Sequence, residues 1–161
     1  MICSAKLHIC RNDILSPTAQ QLIAALNAEL EARYPEDGAN FFRLDTEEVA
    51  EGRGAFLVAY LAGKPVGCGA VRRIEPHIAE IKRMYVDPAA RDRGVGRQIL
   101  VALEAESRQL GAHRLILETG PRQPEAIAVY ARSGFVEIPL FGEYVDPNFS
   151  VCMAKNIEPA R

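Results

Sequence analysis

The sequence has no apolar run long enough to cross a bilayer. The longest, AFLVAYLA at 55–62, falls well short of the roughly 20 residues that a spanning helix needs. It also lacks an excess of either charge: 19 Lys and Arg against 21 Asp and Glu leave a formal net charge of −2. That balance argues against a general nucleic-acid binder and against a protein drawn to acidic membranes. The four cysteines, Cys3, Cys10, Cys68 and Cys152, make no CxxC pair, and His8, His77 and His113 stand far apart. Neither a disulfide framework nor a metal site is therefore expected, and free thiols in a reducing cytoplasm are the plain reading. The opening MICSAKLHIC has no basic start followed by a long apolar stretch, so no secretory signal is expected and a cytoplasmic location is. Internal repeats, low-complexity tracts and interdomain linkers are missing too.

What is present suits one domain over residues 1–161, with 48% hydrophobic and 25% charged residues and length enough to bury a core. KLHIC, 6–10, reads as a first strand. SPTAQQLIAALNAELEARY, 16–34, reads as a helix with Ser16 as N-cap and Pro17 at its first position, its apolar face carried by Leu22, Leu26 and Leu30. Residues 35–54 mix loop with a short helix. Residues 55–74 form two strands about a turn at Gly63-Lys64-Pro65, and AEIKRMYVDP, 79–88, forms a third. A helix then runs to Leu110, with Gly111 as its stop and Glu104–Arg108 as an ion pair on the wet side. RLILET, 114–119, is apolar enough to be a central strand; PEAIAVYARSG, 124–134, is a short helix; FVEIP and SVCMAK are a last pair of strands. This order predicts an α/β fold built on a mixed sheet with helices on both faces.

Charge is uneven within this frame. Residues 72–97 hold seven basic side chains against four acidic ones, a local excess of +3, which suits one small polyanion better than a long backbone. Inside the segment lies RDRGVG, Arg91 to Gly96, opening a helix. A triphosphate-binding loop would need GxxxxGK[ST], which is absent, and a dinucleotide fingerprint would need a third glycine where Ile99 stands. The third pattern, R/Q-x-x-G-x-G/A, is met by Arg91, Gly94 and Gly96. Such a turn aims successive N–H groups at a pyrophosphate, and the helix behind it adds its positive end. On these six residues alone, a glycine-rich helix start with solvated arginines is equally open.

The neighbouring blocks extend the pattern. AEIKRMYVDPAARDRGVGRQIL and AIAVYARSGF, separated by one strand, resemble the GNAT superfamily of acyl-CoA-dependent N-acyltransferases, over about residues 55 to 155. LETGPRQPEAI and PLFGEYVDPNFSVCMAK resemble a bacterial subgroup of small members whose substrates are mostly unassigned. The resemblance implies a single-domain, mostly antiparallel sheet in which the strand at 79–88 carries a bulge and splays from the strand at 114–119, and a coenzyme A arm lying in the gap. It implies that backbone groups of Met84, Tyr85 and Val86 hold the pantetheine, and that Arg91, Asp92, Arg93, Gly94, Val95, Gly96 and Arg97 surround the pyrophosphate. Gln123 stands where the family often has an asparagine touching the pantetheine. Members are often dimers, so a homodimer is an expectation of the resemblance.

The chemistry implied is attack of a neutral amine on the acetyl-CoA thioester, with no metal. A backbone N–H of Tyr85 or Val86 would steady the oxyanion. Glu80, eleven residues before Arg91, matches the offset of the general-base glutamate in the histone-acetylating branch, and strand alternation predicts it on one side with Lys82, Met84 and Val86. Glu118 on the opposite strand is the second candidate base. Either carboxylate also fits a plain ion pair or a cap. Tyr130 matches the family tyrosine that protonates the departing thiolate, a role suited to a phenol. Cys68, in VGCGA, reads as a packed thiol rather than a nucleophile. Tyr34, Asn40, Phe41, Phe42, Arg43, Phe141, Glu143 and Tyr144 fall where the family builds its acceptor pocket. The acceptor class expected is a primary amine of a small molecule or peptide. The alternative function is an acyl-CoA-binding module without catalysis, which would need neither Glu80 nor Tyr130.

Overall fold

The computed structural model describes residues 6–36 and 44–158. The chain runs β1 (Leu7–Arg11), α1 (Pro17–Arg33), a 3-10 turn at Thr46–Val49, β2 (Gly54–Leu61), β3 (Lys64–Glu75) and β4 (Ile78–Val86). A 3-10 turn at Pro88–Ala90 leads to α2 (Val95–Gln109), β5 (Arg114–Thr119), α3 (Pro124–Arg132), β6 (Val136–Ile138) and β7 (Val151–Asn156). The strands form one sheet in the order β1-β2-β3-β4-β5-β7-β6. Every neighbouring pair is antiparallel except β4 and β5.

Local chemistry sets the elements. Ser16 caps α1 by accepting the Ala19 N–H at 3.1 Å, and Pro17 starts the helix. The turn between β2 and β3 is Ala62-Gly63, with φ of 51° and 80°, the left-handed pair that a two-residue hairpin demands; Lys64 and Pro65 already belong to β3. In β2, Ala55, Leu57 and Ala59 point to one core and Phe56 and Val58 to the other, which is why the strand reads as an unbroken apolar run. α2 covers one face through Val95, Ile99, Leu100 and Leu103. α1 covers the other through Ala19, Leu22 and Leu26.

Two irregularities in β4 shape the molecule. First, its pairing with β5 covers only Ile78–Ile81 against Arg114–Leu117. Beyond that point the only parallel pair of the sheet parts, and β4 runs on to Val86 while β5 ends at Thr119. Second, β4 carries a bulge. Ala70 pairs with Lys82 and Cys68 with Tyr85, so Arg83 and Met84 together oppose Gly69, and Arg83 takes φ +58°. A Cβ on Gly69 would stand 2.8 Å from Met84 Sδ and Leu103 Cδ1 and 2.9 Å from Ile99 Cγ2. Only glycine lets the bulge and α2 approach this closely. The Cys68 thiol, fully buried, donates to the Arg83 carbonyl at 3.2 Å from behind.

The bulge corrects one expectation from the sequence. Ile81, Met84 and Val86 face the α2 core, whereas Tyr85 faces the α1 core. Lys82 lies opposite Ala70 of that same α1 core. Glu80 and Lys82 therefore do not share a side with Met84 and Val86, because the extra residue inverts the alternation between them.

Candidate active site

Where β4 and β5 part, two cavities meet. The larger, of ≈ 660 Å³, is walled by Met84–Val86 of β4, by Arg91, Asp92 and Gly94–Arg97 at the start of α2, by α3, and by Leu26 and Glu29 of α1. Gln123 lines it as well, so the expected cofactor-binding residues gather here except Arg93, which is exposed and outside the walls. Gly94 caps α2 at φ +77° in the left-handed region, and the preceding Asp92 is left-handed too at +64°. Together they turn the loop so that the first amides of α2 open on the cleft. Gly96 is informative in another way. A Cβ there would meet only Val86 Cγ2 at 3.7 Å and Val129 Cγ1 at 3.8 Å, ordinary contacts. The protein's own packing does not demand glycine at 96, whereas an anion drawn against the amides would.

The arginines divide their work. Arg91 sends Nε to the Val86 carbonyl at 2.9 Å and Nη2 to Glu29 at 2.8 Å, so it ties the loop to β4 and α1. Arg33 of α1 binds Glu29 at 2.9 Å and also pairs with Glu125 of α3. These pairs join the two helices that flank the cleft.

The smaller cavity, of ≈ 100 Å³, lies beside the first on the α1 side. Its walls include Lys82 and Arg83 of β4, Glu118 and Thr119 of β5, and the rings of Tyr34, Tyr144 and Phe149. Leu26, Met84, Gln123 and Tyr130 line both cavities. Tyr130, 6% exposed, stands at that junction, packed edge-on against Phe135 with centroids 6.0 Å apart. Burial, and then the nearby Glu118, raise its phenol above the ordinary tyrosine range, so it stays protonated and able to donate. Gln123 folds its carbonyl oxygen back to accept the Gly120 N–H at 3.1 Å. Tyr34 packs so closely on Gly120 that a Cβ there would fall 1.8 Å from its hydroxyl, which accepts the Arg122 N–H at 2.8 Å.

The two candidate carboxylates sit very differently. Glu80 is 1% exposed and walls neither cavity. Its Oε1 accepts from Arg72 at 2.8 and 3.0 Å and its Oε2 from the Tyr144 hydroxyl at 2.7 Å; Arg72 in turn pairs with Glu48. Glu80 thus holds Tyr144, and with it the segment between β6 and β7, against the sheet. Glu118 is part of the smaller cavity wall and accepts the Ser150 hydroxyl at 2.7 Å on Oε2. Burial pushes its carboxyl up to about 7, against the opposing effects of the Ser150 bond and of Lys82, with Glu80 and Glu143 adding repulsion. A carboxyl near 7 accepts protons at working pH.

Of the acceptor-pocket residues named from sequence, Tyr34 and Tyr144 are walls. Phe141 packs edge-on to Tyr144 at 5.2 Å, and Glu143 lies 3.7 Å from the Lys82 ammonium. Asn40, Phe41, Phe42 and Arg43 lie outside the described residues. Sequence reading missed Lys82, Arg83 and Phe149 as walls, and Ser150 as the partner of Glu118. The Cys68 thiol is pushed by burial up to about 12, which suits its packing role. Among the described residues no group of three or more His, Cys, Asp and Glu could hold a metal ion, and no helix is long and apolar enough to cross a membrane.

The sheet thus opens along a parallel seam, with the glycine loop and the start of α2 at the mouth and the buried Tyr130 at the fork. The sequence profile of the Acetyltransferase (GNAT) family matches residues 20–135, and the chain belongs to that family and is an acyltransferase enzyme. It is 38% identical over 148 residues to the "IAA acetyltransferase" of Azospirillum brasilense, covering 91% of this chain and 95% of that one. Among solved structures it is similar to a Klebsiella pneumoniae protein provisionally described as an acyl-CoA N-acyltransferase. That pair shows 34% identity and a TM-score of 0.78 over 93% of this chain and 97% of the other. A GNAT family acetyltransferase from Elizabethkingia anophelis, solved with acetyl-CoA bound, shares the fold at 14% identity and a TM-score of 0.66, over 94% and 98% of the two chains.

Proposed function

We propose that this enzyme transfers the acetyl group of acetyl-CoA to a primary amine by direct attack in a ternary complex, with Glu118 as base and Tyr130 as acid. One observation carries the reading: the anion-cradled cleft and the smaller pocket share a wall at Tyr130, with Glu118 on the pocket side. The amides from Arg91 to Gly96 take the pyrophosphate, and the β4 edge at Met84–Val86 takes the pantetheine. An ammonium in the smaller pocket gives a proton to Glu118, and the freed nitrogen attacks the thioester carbonyl. As the carbon–sulfur bond breaks, Tyr130 protonates the leaving thiolate and regains a proton from the second N–H that the attacking nitrogen sheds, while Glu118 returns its proton to solvent. Holding amine and thioester at one fork supplies much of the acceleration. Of the two carboxylates the sequence offers as base, Glu118 is better placed, because Arg72 and Tyr144 occupy both oxygens of Glu80.

The test is thiol release from acetyl-CoA across a panel of amines, with thermal melting alongside. Acetyl-CoA is expected to raise the melting temperature, and NAD and ATP to leave it unchanged. Tyr130→Phe is expected to lower kcat by roughly 100-fold or more while acetyl-CoA still binds. A melting shift without thiol release from any amine would leave an acyl-CoA-binding module. No shift at all would remove the donor assignment.

A further inference from the structure

The smaller pocket has a feature that a site for a simple amine does not need. Two cationic residues of β4, Lys82 and Arg83, share its wall with Glu118 of β5. Lys82 has a side chain only 7% exposed, and its ammonium lies 6.0 Å from the centre of the Tyr144 ring and 3.7 Å from Glu143. Arg83, half-buried, sits on the bulge in a left-handed backbone conformation that an L-residue adopts at a cost. Buried cations beside the path of an incoming ammonium repel it. Their presence makes sense if the acceptor brings an anion of its own. Burial lowers the pKa of Lys82, aided by Arg72 and Arg83 and opposed by Glu80 and Glu143. Burial also lowers that of Arg83 against Tyr144 and Cys68, so a further negative charge beside the two would favour their charged forms. The pocket is therefore polarised, acidic on β5 where the fork with Tyr130 lies and basic on β4, within ≈ 100 Å³.

We infer that the acceptor is a small zwitterion, a primary amine with a carboxylate a few bonds away, as in a free amino acid. Its amine faces Glu118 and Tyr130 and its carboxylate faces Lys82 and Arg83, while the rings of Tyr34, Tyr144 and Phe149 enclose the rest. This rests on the transfer reading above and adds the acceptor class to it.

The experiment compares matched acceptors on the wild-type enzyme with saturating acetyl-CoA: phenylalanine, phenylalaninamide and phenethylamine, then leucine, leucinamide and isoamylamine. The free amino acid is expected to exceed its amide and its decarboxylated partner by roughly 10- to 100-fold in kcat/KM, the worth of a charge-assisted contact. Lys82→Met and Arg83→Gln are expected to erase that preference mainly by raising KM for the free amino acid. Equal or better turnover of the decarboxylated amines by wild type overturns the zwitterion assignment and leaves acetyl transfer standing. No release from any amine overturns both. The wild-type comparison decides the matter even where a β4 variant fails to fold.

Discussion

Glu118 carries the most consequential single-residue prediction. Its carboxyl is shifted from the ordinary 4.5 up to about 7 by burial. As a base it must be ionised, so wild-type kcat/KM is expected to rise with pH and level off above about 7. Glu118→Gln is expected to lower the plateau by roughly 100-fold and to remove the inflection. Stability moves the other way. Between the two pKa values the folded protein holds a proton that the unfolded chain has released, so folding is progressively weakened as pH rises through that window. Glu118→Gln keeps a partner for Ser150 and sheds the cost of burying charge. At pH 8 it is expected to be more stable than wild type by about 2 kcal/mol, and at pH 4 the two are expected to melt together. Melting curves across pH check this. From sequence the eleven-residue offset to Arg91 puts Glu80 first and Glu118 second, whereas the proposed mechanism takes them in the opposite order. The reversal comes from register: Arg72 lies directly across from Glu80, and that pairing is visible only once β3 and β4 are aligned.

At the scale of elements, most boundaries were legible because each is written locally. Ser16-Pro17 marks the start of α1, Gly94 the start of α2, and Gly111, at φ +82°, its end. The β4 bulge was implied by the family resemblance but was not legible in the residue pattern itself. It arises from three groups on two other elements, the missing side chain of Gly69, the Cys68 thiol and the ridge of Ile99 and Leu103. No pattern within 79–88 announces it, so alternation carried past Lys82 went to the wrong face. Phe149 and Ser150 escaped notice for a similar reason, since the segment that holds them is placed by long-range contacts of Tyr144 and Glu118. The bulge can be tested at its base. Gly69→Ala sets a methyl 2.8 Å from Met84 and Leu103, and the resulting overpacking is expected to destabilise the protein by about 1–3 kcal/mol. It is also expected to weaken acetyl-CoA binding, since Met84 is a wall of the cleft. Denaturant unfolding and a ligand titration on the same variant separate the two effects. A surface-like change of less than about 0.5 kcal/mol would mean that the bulge does not depend on Gly69.

For the whole molecule, the position of α1 matters more than any one of its contacts. Leu26 borders both chambers, Glu29 borders the larger, and Leu30 the smaller. The same helix is roped to the loop before α2 through Arg91 and to α3 through the Arg33–Glu125 pair. A partition shared in this way makes the two chambers a single thermodynamic system. Whatever factor one occupant adds to the affinity for the second, the second must return to the first. Acetyl-CoA and acceptor are therefore expected to show reciprocal coupling, measurable by titrating each calorimetrically with and without a saturating, unreactive analogue of the other. Identical affinities in both conditions would mean that α1 stands as a rigid divider. With coupling, α1 acts as a common hinge, and the enzyme registers arrival of its donor in the strength with which it grips its acceptor.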